Sequence, residues 1–350
     1  MLHILYPSGL NWFYEAIAHE LQEDLTTLGI RSRLITPQEL LGSTRLEIGS
    51  QQGILIVSAA ECLFSLAGPA NSSAGFDAWT NRLRDKLKEF HRRMLLNLDG
   101  IHTSWFQNQM SQIGDAMTHV LDLGMVPQTT LPKLGGLTYV WIPESFTLRH
   151  RQNLTPYDAD RPIPWTMVGH ATQERAEVVD ALSRMLGAAG TLFLPPLRPF
   201  GSDGARNLSE QSLDRVLART QYYVWASHHL SPYHECLRAL HAVRNGAVPV
   251  KIDPLFYFLF QEIPWVHASV DAFLAAIETQ GRRVLYNRAK DFLMARDTFG
   301  SHVAGALGLR TTHNAARADS ADNVPPPHGA RGNRAAGECA AARVALLTEN

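Results

Sequence analysis

Two arginines in the second half of the chain, Arg175 and Arg238, each stand near the start of a helix-like sequence that follows a buried strand. In open α/β sheets, ligands bind beyond the carboxyl ends of the strands, where such helices begin. Two guanidinium groups that converge there can hold a diphosphate through charge-assisted, forked hydrogen bonds. The sequence therefore predicts a phosphate-ester site. In an alternative interpretation, Arg175 pairs with Glu177 or a neighbouring carboxylate on a solvated helix face.

The first arginine lies in TMVGHATQERAEVVDAL, residues 166–182. The predicted strand ends at Val168, Gly169 permits a tight turn, and the side-chain oxygen of Thr172 can cap the next helix. Arg175 then falls in the first turn of that helix. We therefore expect Gly169 and the adjacent His170 to belong to the binding site as well.

The second arginine lies in VWASHHLSPYHECLRALHAVRNGAVPVKID, residues 224–253, a pattern typical of strand, loop, helix and strand. Ser231 is the predicted cap, and Pro232 suits the first turn because its missing N–H would be unpaired there anyway. Gly246 suits the left-handed position just past the helix end. The open start of such a helix offers N–H groups and partial positive charge to an anion.

Opposite faces of this helix differ in character. Polar side chains recur at steps of four, three and four residues, at His234, Arg238, His241 and Asn245. The other face is apolar, with Cys236, Leu240 and Val243. The polar face is the one expected to meet the ligand.

These motifs lie within two series of alternating strands and helices. In the first series we predict strands at 2–6, 31–35, 53–58, 93–98 and 138–142, and helices at 12–28, 76–90 and 103–118. In the second we predict strands at 165–168, 191–194 and 222–226, and helices at 173–186, 209–219, 271–279 and 288–307. Such alternation implies parallel sheets covered on both faces. The predicted fold class is therefore α/β, with two Rossmann-like domains facing a cleft.

Composition marks the boundaries of these domains. Residues 1–148 form the predicted N-terminal, acceptor-side domain, and the polar, proline-containing stretch 149–164 forms the linker. Residues 165–310 form the predicted C-terminal domain. Residues 311–350 contain few large apolar groups and cannot offset the entropy of ordering, so we expect a mostly disordered tail.

The segments GHATQERAEVVDAL and LRALHAVRNGAVPVKID together resemble the donor half of GT-B glycosyltransferases. The resemblance is strongest to the spore-maturation-type group and more distant to the phage DNA glucosyltransferases. It covers roughly residues 165–310, whereas the N-terminal half matches only in architecture. It implies that Arg175 and Arg238 hold the diphosphate of a nucleotide-sugar donor. Tyr233 and Glu235 are then expected to contact the nucleoside or the sugar, although His234 and Glu235 are alternatively only polar surface.

One departure from the family pattern bears on activity. The family's glutamate, which takes the ribose hydroxyls, falls on His241 in this chain. A neutral histidine still forms a hydrogen bond but lacks the two-oxygen grip of a carboxylate. The E-x7-E signature of retaining relatives falls on Tyr233 and His241, so the sequence does not support retaining chemistry of that kind.

Glycosyl transfer by inversion needs a general base for the acceptor hydroxyl. Asp99, in the segment NLDGIHTSWF after a first-half strand, is the first candidate and His102 is the second. Alternatively, Asp99 and Gly100 simply form a turn. Asp122 and Glu61 are weaker contenders for the same role, and they follow other first-half strands.

The first loop, residues 7–11, lies where the first sheet should meet the cleft. Its Ser8 and Gly9 are expected to touch the donor phosphate or the acceptor. The loop lacks the GxGxxG pattern of a dinucleotide site. The aromatic residues at 12–14 either line an acceptor groove or belong to the core.

Composition narrows the class of partner. The formal net charge of −1 argues against a nucleic-acid or acidic-membrane partner. Three cysteines without a CxxC pair signal neither a disulfide framework nor a zinc site, and Cys62 and Cys236 should pack as small apolar groups. We see no secretory signal and no apolar run long enough to span a bilayer, which favours the cytoplasm.

Together these observations predict a cytoplasmic glycosyltransferase that moves a sugar from a nucleotide-diphosphate donor to a hydroxyl acceptor. Because the arginines and a helix N-terminus would neutralise the leaving diphosphate, no metal or other cofactor is expected. Two alternatives remain open at this point. One is a sugar-nucleotide epimerase of the same fold, and the other is a catalytically degenerate binding or scaffold protein.

Overall fold

The structure is a computed structural model that describes residues 1–9, 12–42, 53–67, 73–98, 100–124, 136–169, 172–193, 208–226 and 232–309. The predicted tail at 311–350 lies outside these ranges, as do two of the candidate site residues, Asp99 and His170. All the described residues belong to one compact unit, Met1–Thr312.

The first half of the chain builds a parallel sheet of six strands. These are β1 (Leu2–Leu5), β2 (Ser32–Ile35), β3 (Gly53–Val57), β4 (Arg92–Asn97), β5 (His119–Asp122) and β6 (Thr138–Trp141). The helices of this half are α1 (Trp12–Thr27), α2 (Pro37–Gly42), α3 (Ala59–Ala67), α4 (Ser73–Lys88), α5 (Ser104–Ile113) and α6 (Leu148–Gln152). The strand order β2-β1-β3-β4-β5-β6 reverses direction between β1 and β3. That pair is therefore the topological switch point of this half.

The second half builds a parallel sheet of five strands in the order β11-β10-β9-β7-β8. The strands are β7 (Ile163–Val168), β8 (Thr191–Phe193), β9 (Thr220–Ala226), β10 (Val248–Ile252) and β11 (Val266–His267). The helices are α7 (Gln173–Leu186), α8 (Glu210–Leu217), α9 (Cys236–Arg244), α10 (Val270–Gln280), α11 (Arg282–Met294) and α12 (Phe299–Ala306). Here the order reverses between β7 and β9, which sets the second switch point.

Both sheets confirm the predicted α/β class with two Rossmann-like halves. The central strands β1 and β3 are buried along their whole length, as expected of parallel strands covered by helices on both faces. Gly246, just past the end of α9, has φ +74°, so the predicted left-handed position is confirmed. Cys62 is fully buried, and burial raises the pKa of its thiol, so it packs as an apolar group.

Several elements differ from the sequence prediction. Strands β5 and β11 and helices α2 and α3 were not predicted. The short helix α6 begins one residue before the polar stretch predicted as a linker and lies mostly within it. The predicted helix 288–307 is wrong as one element: α11 ends at Met294, and α12 begins at Phe299 after Thr298, whose hydroxyl accepts a hydrogen bond from the Ser301 N–H. The domain boundaries themselves stay a prediction.

The last helix, α12, packs into the core of the first half although the sequence assigned it to the second. Phe299, Val303 and Leu307 join the same apolar cluster as residues of α1 and β1. The buried carboxylate of Asp24 on α1 accepts hydrogen bonds from the Gly300 N–H at 2.5 Å and the Leu148 N–H at 2.9 Å. One carboxylate therefore joins α1 to the first turns of α12 and α6.

No helix in the described ranges combines the length and the apolar character needed to cross a bilayer.

Candidate functional site

The two arginines predicted to act together lie at the switch point of the second sheet. Arg175 is in the first turn of α7, which follows β7, and Arg238 is in the first turn of α9, which follows β9. Because β7 and β9 are neighbours in the sheet, both helices begin at the same edge. A helix N-terminus carries partial positive charge, so two helix dipoles and two guanidinium groups meet at this edge.

Arg175 is fixed by its own helix cap and by the adjacent strand. The Thr172 hydroxyl accepts a hydrogen bond from the Arg175 N–H, as the sequence predicted, and the Arg175 Nε donates to the Ala226 carbonyl at 3.2 Å. The side chain is only 3% exposed. Gly169 makes this placement possible, because a Cβ there would stand 2.5 Å from Nη1 of Arg175.

Arg238 reaches across the same edge from the other side. Its Nη1 donates to the Val168 carbonyl at 2.7 Å and contacts the Tyr223 hydroxyl at 3.0 Å. Its Nε donates to Oε1 of Glu235 at 3.1 Å. Within the part of the chain that the structure describes, Nη2 of Arg238 has no hydrogen-bond partner, and the side chain is 24% exposed. This guanidinium therefore has donors for a ligand.

Glu235 lies between the two arginines. Oε1 of its carboxylate is 3.1 Å from Nε of Arg238 and 4.0 Å from Nη2 of Arg175. One carboxylate faces two guanidinium groups, so this cluster keeps a net positive charge. The Glu235 carboxylate thus occupies the space between the two arginines.

The charges of the two arginines affect each other. Burial lowers the pKa of Arg175, and the like charge of Arg238 lowers it further. Burial also acts to lower the pKa of Arg238, but Tyr223 and Glu235 outweigh burial and raise it. Both side chains stay protonated at neutral pH because arginine titrates far above that range.

The segment before α9 is bound to the first half rather than to its own helix. The Tyr233 hydroxyl donates to the Leu98 carbonyl at 2.6 Å, and the His234 N–H donates to the Gly124 carbonyl at 2.8 Å. The buried Lys251 ammonium donates to the Tyr233 carbonyl at 2.5 Å. These bonds place the arginine pair beside the carboxyl ends of β4 and β5.

The predicted cap of α9 is wrong. The helix begins at Cys236 with Glu235 at the cap position and no side-chain capping bond, so Pro232 lies before it and not in its first turn. Ser231 lies outside the described residues. His234 is consequently not on the helix face, and its Nε2 instead pairs with Oε1 of the buried Glu144 at 2.9 Å.

His241 belongs to a polar network at the junction of the halves. Its Nδ1 is 3.1 Å from Nη2 of Arg244 and 3.9 Å from Oδ1 of Asp214, and its ring meets the edge of Trp12 on α1. The structure thus brings Arg175, Tyr233, Glu235 and Arg238 close together, while His241 lies one helical turn further along α9. Its role toward a donor stays a prediction.

The candidates in the first half have different surroundings. Ser8 and Gly9 are exposed after β1, and His102 is exposed just before α5. Asp122 is fully buried, and its Oδ1 accepts hydrogen bonds from Nδ2 of Asn97 at 3.0 Å and from the Gly124 N–H at 2.9 Å. Glu61 is also fully buried. Their roles as bases or ligands stay predictions.

Two features of this region escaped the sequence analysis. Tyr223 is buried in β9 and was not singled out, because a tyrosine inside an apolar strand gives no separate signal. Ser58, after β3, has φ +63° although it is not a glycine. Among the described residues, no group of three metal-ligating side chains is placed to hold an ion. The expectation that no cofactor is needed stays a prediction.

Comparisons with known proteins found solved structures that resemble this chain only weakly. No family model and no curated protein sequence matches the chain. An O-GlcNAc transferase mutant from Thermobaculum terrenum is 12% identical, with a TM-score of 0.42, over 92% of this chain and 67% of its own. The glycosyltransferase SnogD from Streptomyces nogalater is 12% identical, with a TM-score of 0.36, over 88% of this chain and 98% of its own. Both TM-scores lie below 0.5, so the fold of this chain is defined by its own two sheets.

Proposed function

We propose that this protein is a cytoplasmic, metal-independent glycosyltransferase that moves a sugar from a nucleotide-diphosphate donor to a hydroxyl acceptor. The proposal starts from the resemblance of residues 165–310 to the donor half of the spore-maturation-type GT-B group, which stays a prediction. The observation that carries the proposal is the pair Arg175 and Arg238, whose guanidinium groups approach one carboxylate oxygen of Glu235 at the edge between β7 and β9. In this proposal the diphosphate binds beside Glu235 and accepts hydrogen bonds from guanidinium donors such as Nη2 of Arg238.

In this proposal the second half stabilises the leaving group. As the acceptor oxygen bonds to the anomeric carbon, the bond from that carbon to the diphosphate breaks, and negative charge develops on the leaving oxygen. Arg175, Arg238 and the N-termini of α7 and α9 neutralise that charge without a metal ion. The proton of the acceptor hydroxyl goes to a base from the first half, for which Asp99 and His102 remain our candidates. Support comes from Leu98 and Gly100, which lie against Tyr233.

Nucleotide binding is the first test of this function. We expect UDP, GDP or TDP to bind the purified protein in calorimetry and to raise its melting temperature, because a ligand that binds only the folded form stabilises it. The matched control is the corresponding nucleoside, which lacks the diphosphate and should bind far more weakly. If none of the three diphosphates binds, the proposal is wrong.

Gly169→Ala tests whether Arg175 takes part. The new Cβ would stand 2.5 Å from Nη1 of Arg175, so the buried guanidinium must shift. Loss of one charge-assisted contact predicts about tenfold weaker binding of the diphosphate that the wild type prefers. Gly305→Ala is the matched control, because a Cβ at that position meets nothing within 4 Å. Equal affinities for the wild type and Gly169→Ala in calorimetry would show that Arg175 is not needed.

A binding protein of the same fold is the second candidate function. It is favoured by the position of His241, which contacts Arg244 and Asp214 and leaves no carboxylate at the place of the family's glutamate. Incubation with the donor that binds best, followed by product analysis, separates the candidates. Transfer or slow hydrolysis supports the transferase, and an isomerised sugar nucleotide without any acceptor indicates an epimerase. An unchanged donor indicates a binding protein.

A further inference from the structure

Ser58 has an unusual backbone at the switch point of the first sheet. It directly follows β3 and precedes α3, and its φ is +63°, which L-residues other than glycine rarely adopt. It is the one non-glycine residue with positive φ among those the structure describes. The side chain is 3% exposed, and its hydroxyl has no hydrogen-bond partner within the described part of the chain.

Both of these features are unfavourable for folding, and glycine would avoid both. A glycine adopts positive φ without a Cβ penalty, and it has no hydroxyl to bury unpaired. Strained backbone of this kind persists where the surrounding structure enforces it and is concentrated at binding and catalytic sites. The hydroxyl of Ser58 therefore needs an explanation that folding does not supply.

Strand register places Ser58 at the end of a row of buried polar residues. Val57, the last residue of β3, pairs with Leu96, so Ser58 follows directly at the end of β3 while Asn97 is the last residue of the neighbouring strand β4. Asn97 in turn pairs with Asp122, and Nδ2 of Asn97 donates to Oδ1 of Asp122 at 3.0 Å. We call Ser58, Asn97 and Asp122 the polar row. It lies at the carboxyl edge of β3, β4 and β5, where open α/β sheets bind ligands.

Two contacts place the polar row opposite the arginine pair. The carbonyls of Leu98 and Gly124, one and two residues past the row, accept hydrogen bonds from Tyr233 and His234 of the second half. The next residue along that segment is Glu235, which lies between the arginines. A molecule bound at the row would therefore be close to the donor.

Charge indicates the chemical class of that molecule. The row contains Asp122, and Glu61 is buried one helical turn after Ser58. The described residues that follow β1, β3, β4 and β5, at 6–9, 58–61, 100–102 and 122–124, include no lysine or arginine. The Asp122 carboxylate disfavours an anionic group in direct contact with it, whereas hydroxyl groups can donate to the carboxylate and both donate to and accept from serine and asparagine.

We propose that the polar row is the acceptor subsite for an uncharged saccharide and that Ser58 binds one of its hydroxyl groups. The acceptor role of this site rests on the proposed glycosyl transfer, whereas saccharide binding at the row does not require that reaction. Because the hydroxyl of Ser58 is buried in the free protein, the saccharide enters when the contacts around this edge open.

Saturation-transfer NMR tests the proposal, with methyl glycosides of glucose, galactose and N-acetylglucosamine as neutral probes and glucose 1-phosphate as the charged probe. We expect at least one neutral glycoside to bind the wild type. In Arg238→Ala, which lacks the proposed phosphate site, glucose 1-phosphate should bind no better than methyl glucoside. Ser58→Ala keeps the strained backbone but removes the hydroxyl, and it should weaken glycoside binding about fivefold. Ser65→Ala is the control: the Ser65 hydroxyl donates to the Cys62 carbonyl within α3, so this variant should bind as the wild type does.

Ser58→Gly separates binding from folding. It should lose the same affinity as Ser58→Ala while its melting temperature rises by about 2 °C, because glycine relieves the backbone. Unchanged glycoside binding in both variants, or no binding of any glycoside to the wild type, would overturn the proposal. Arg238→Ala distinguishes the two sites: it should lose the nucleotide and keep the glycoside. If the wild type binds the glycoside through Ser58 but binds no diphosphate, the transferase is wrong and the saccharide site stands.

Discussion

Replacing Arg238 with alanine is expected to weaken UDP, GDP or TDP binding about 100-fold, whichever diphosphate the wild type prefers. Arg238 is the more exposed of the two arginines, and its Nη2 has no partner among the described residues. Two lost charge-assisted hydrogen bonds correspond to about 3 kcal/mol, which is about 100-fold in the dissociation constant. Isothermal titration calorimetry of the wild type and the variant measures this change directly.

Two further variants make this result specific. Arg238→Lys keeps the charge but loses the forked geometry, so it should bind more tightly than Arg238→Ala and more weakly than the wild type. Arg184→Ala, which removes an exposed arginine paired with Asp180 at the other end of α7, should bind like the wild type. Melting curves show whether each variant is folded. A folded Arg238→Ala variant with wild-type affinity would remove the diphosphate site from this edge.

The position of this site could be predicted because strand ends leave a clear pattern. The runs before Gly169 and after Gln221 are apolar and are followed by helix-forming sequence, so Arg175 and Arg238 had to lie at the same edge if these two strands belong to one parallel sheet. What the sequence did not reveal is Glu235 between them or Tyr223 beneath them. Those contacts depend on the side-by-side arrangement of β7 and β9, which no local pattern encodes.

The start of α9 shows how tertiary contacts override local signals. Pro232 suits a first helical turn, yet the helix begins at Cys236. The N–H of His234 bonds the Gly124 carbonyl of the other half, and the Tyr233 carbonyl accepts from buried Lys251. These bonds keep the segment outside the helix. A capping argument uses only neighbours in sequence and cannot include them.

The same limit explains the missed elements. Strand β5 has only four residues, and it follows α5 after the 3-10 turn Gly114–Ala116, which lies within the stretch 103–118 that was predicted as one helix. Helix α12 continues the period of α11 closely enough to look like one helix, and the cap at Thr298 is the local sign of the break. Its packing on α1 involves residues nearly the whole chain apart, a contact that sequence spacing does not predict.

Arg244→Ala is expected to lower the free energy of unfolding by about 3 kcal/mol. Arg244, at the end of α9, binds carboxylates from both halves, since Nη1 is 3.4 Å from Glu20 on α1 and Nη2 is 2.7 Å from Asp214 on α8. Its side chain is 14% exposed. Removing the shared cation leaves the carboxylates of a largely buried cluster uncompensated, which strongly destabilises a protein. Because Asp214 is 32% exposed, we expect a loss at the lower end of the range seen for broken buried ion pairs. Urea unfolding at pH 7 measures the loss.

The loss should also depend on pH. Burial acts to raise the pKa of Glu20, but the hydrogen bond from His150 and the charge of Arg244 outweigh it and lower the pKa. Burial likewise acts to raise the pKa of Asp214, but hydrogen bonds from His241 and Arg244 and the charge of Arg244 outweigh burial and lower it. A lowered folded-state pKa adds stability above the unfolded value, near 4, and this stability is lost as the pH falls through the folded value. The difference in the free energy of unfolding between the wild type and Arg244→Ala should therefore narrow below about pH 4.

Arg149→Ala is the matched control, because Arg149 pairs with Glu23 across α6 and α1 but is 65% exposed. An exposed pair contributes little, so this variant should differ from the wild type by less than about 0.5 kcal/mol at either pH. If Arg244→Ala behaves like Arg149→Ala, the network around His241 is not what joins the two halves. If the difference in unfolding free energy between the wild type and Arg244→Ala narrows at low pH, the halves are joined by carboxylates that acid protonates. These carboxylates meet Arg244 at the end of α9, the helix that begins beside the arginine pair.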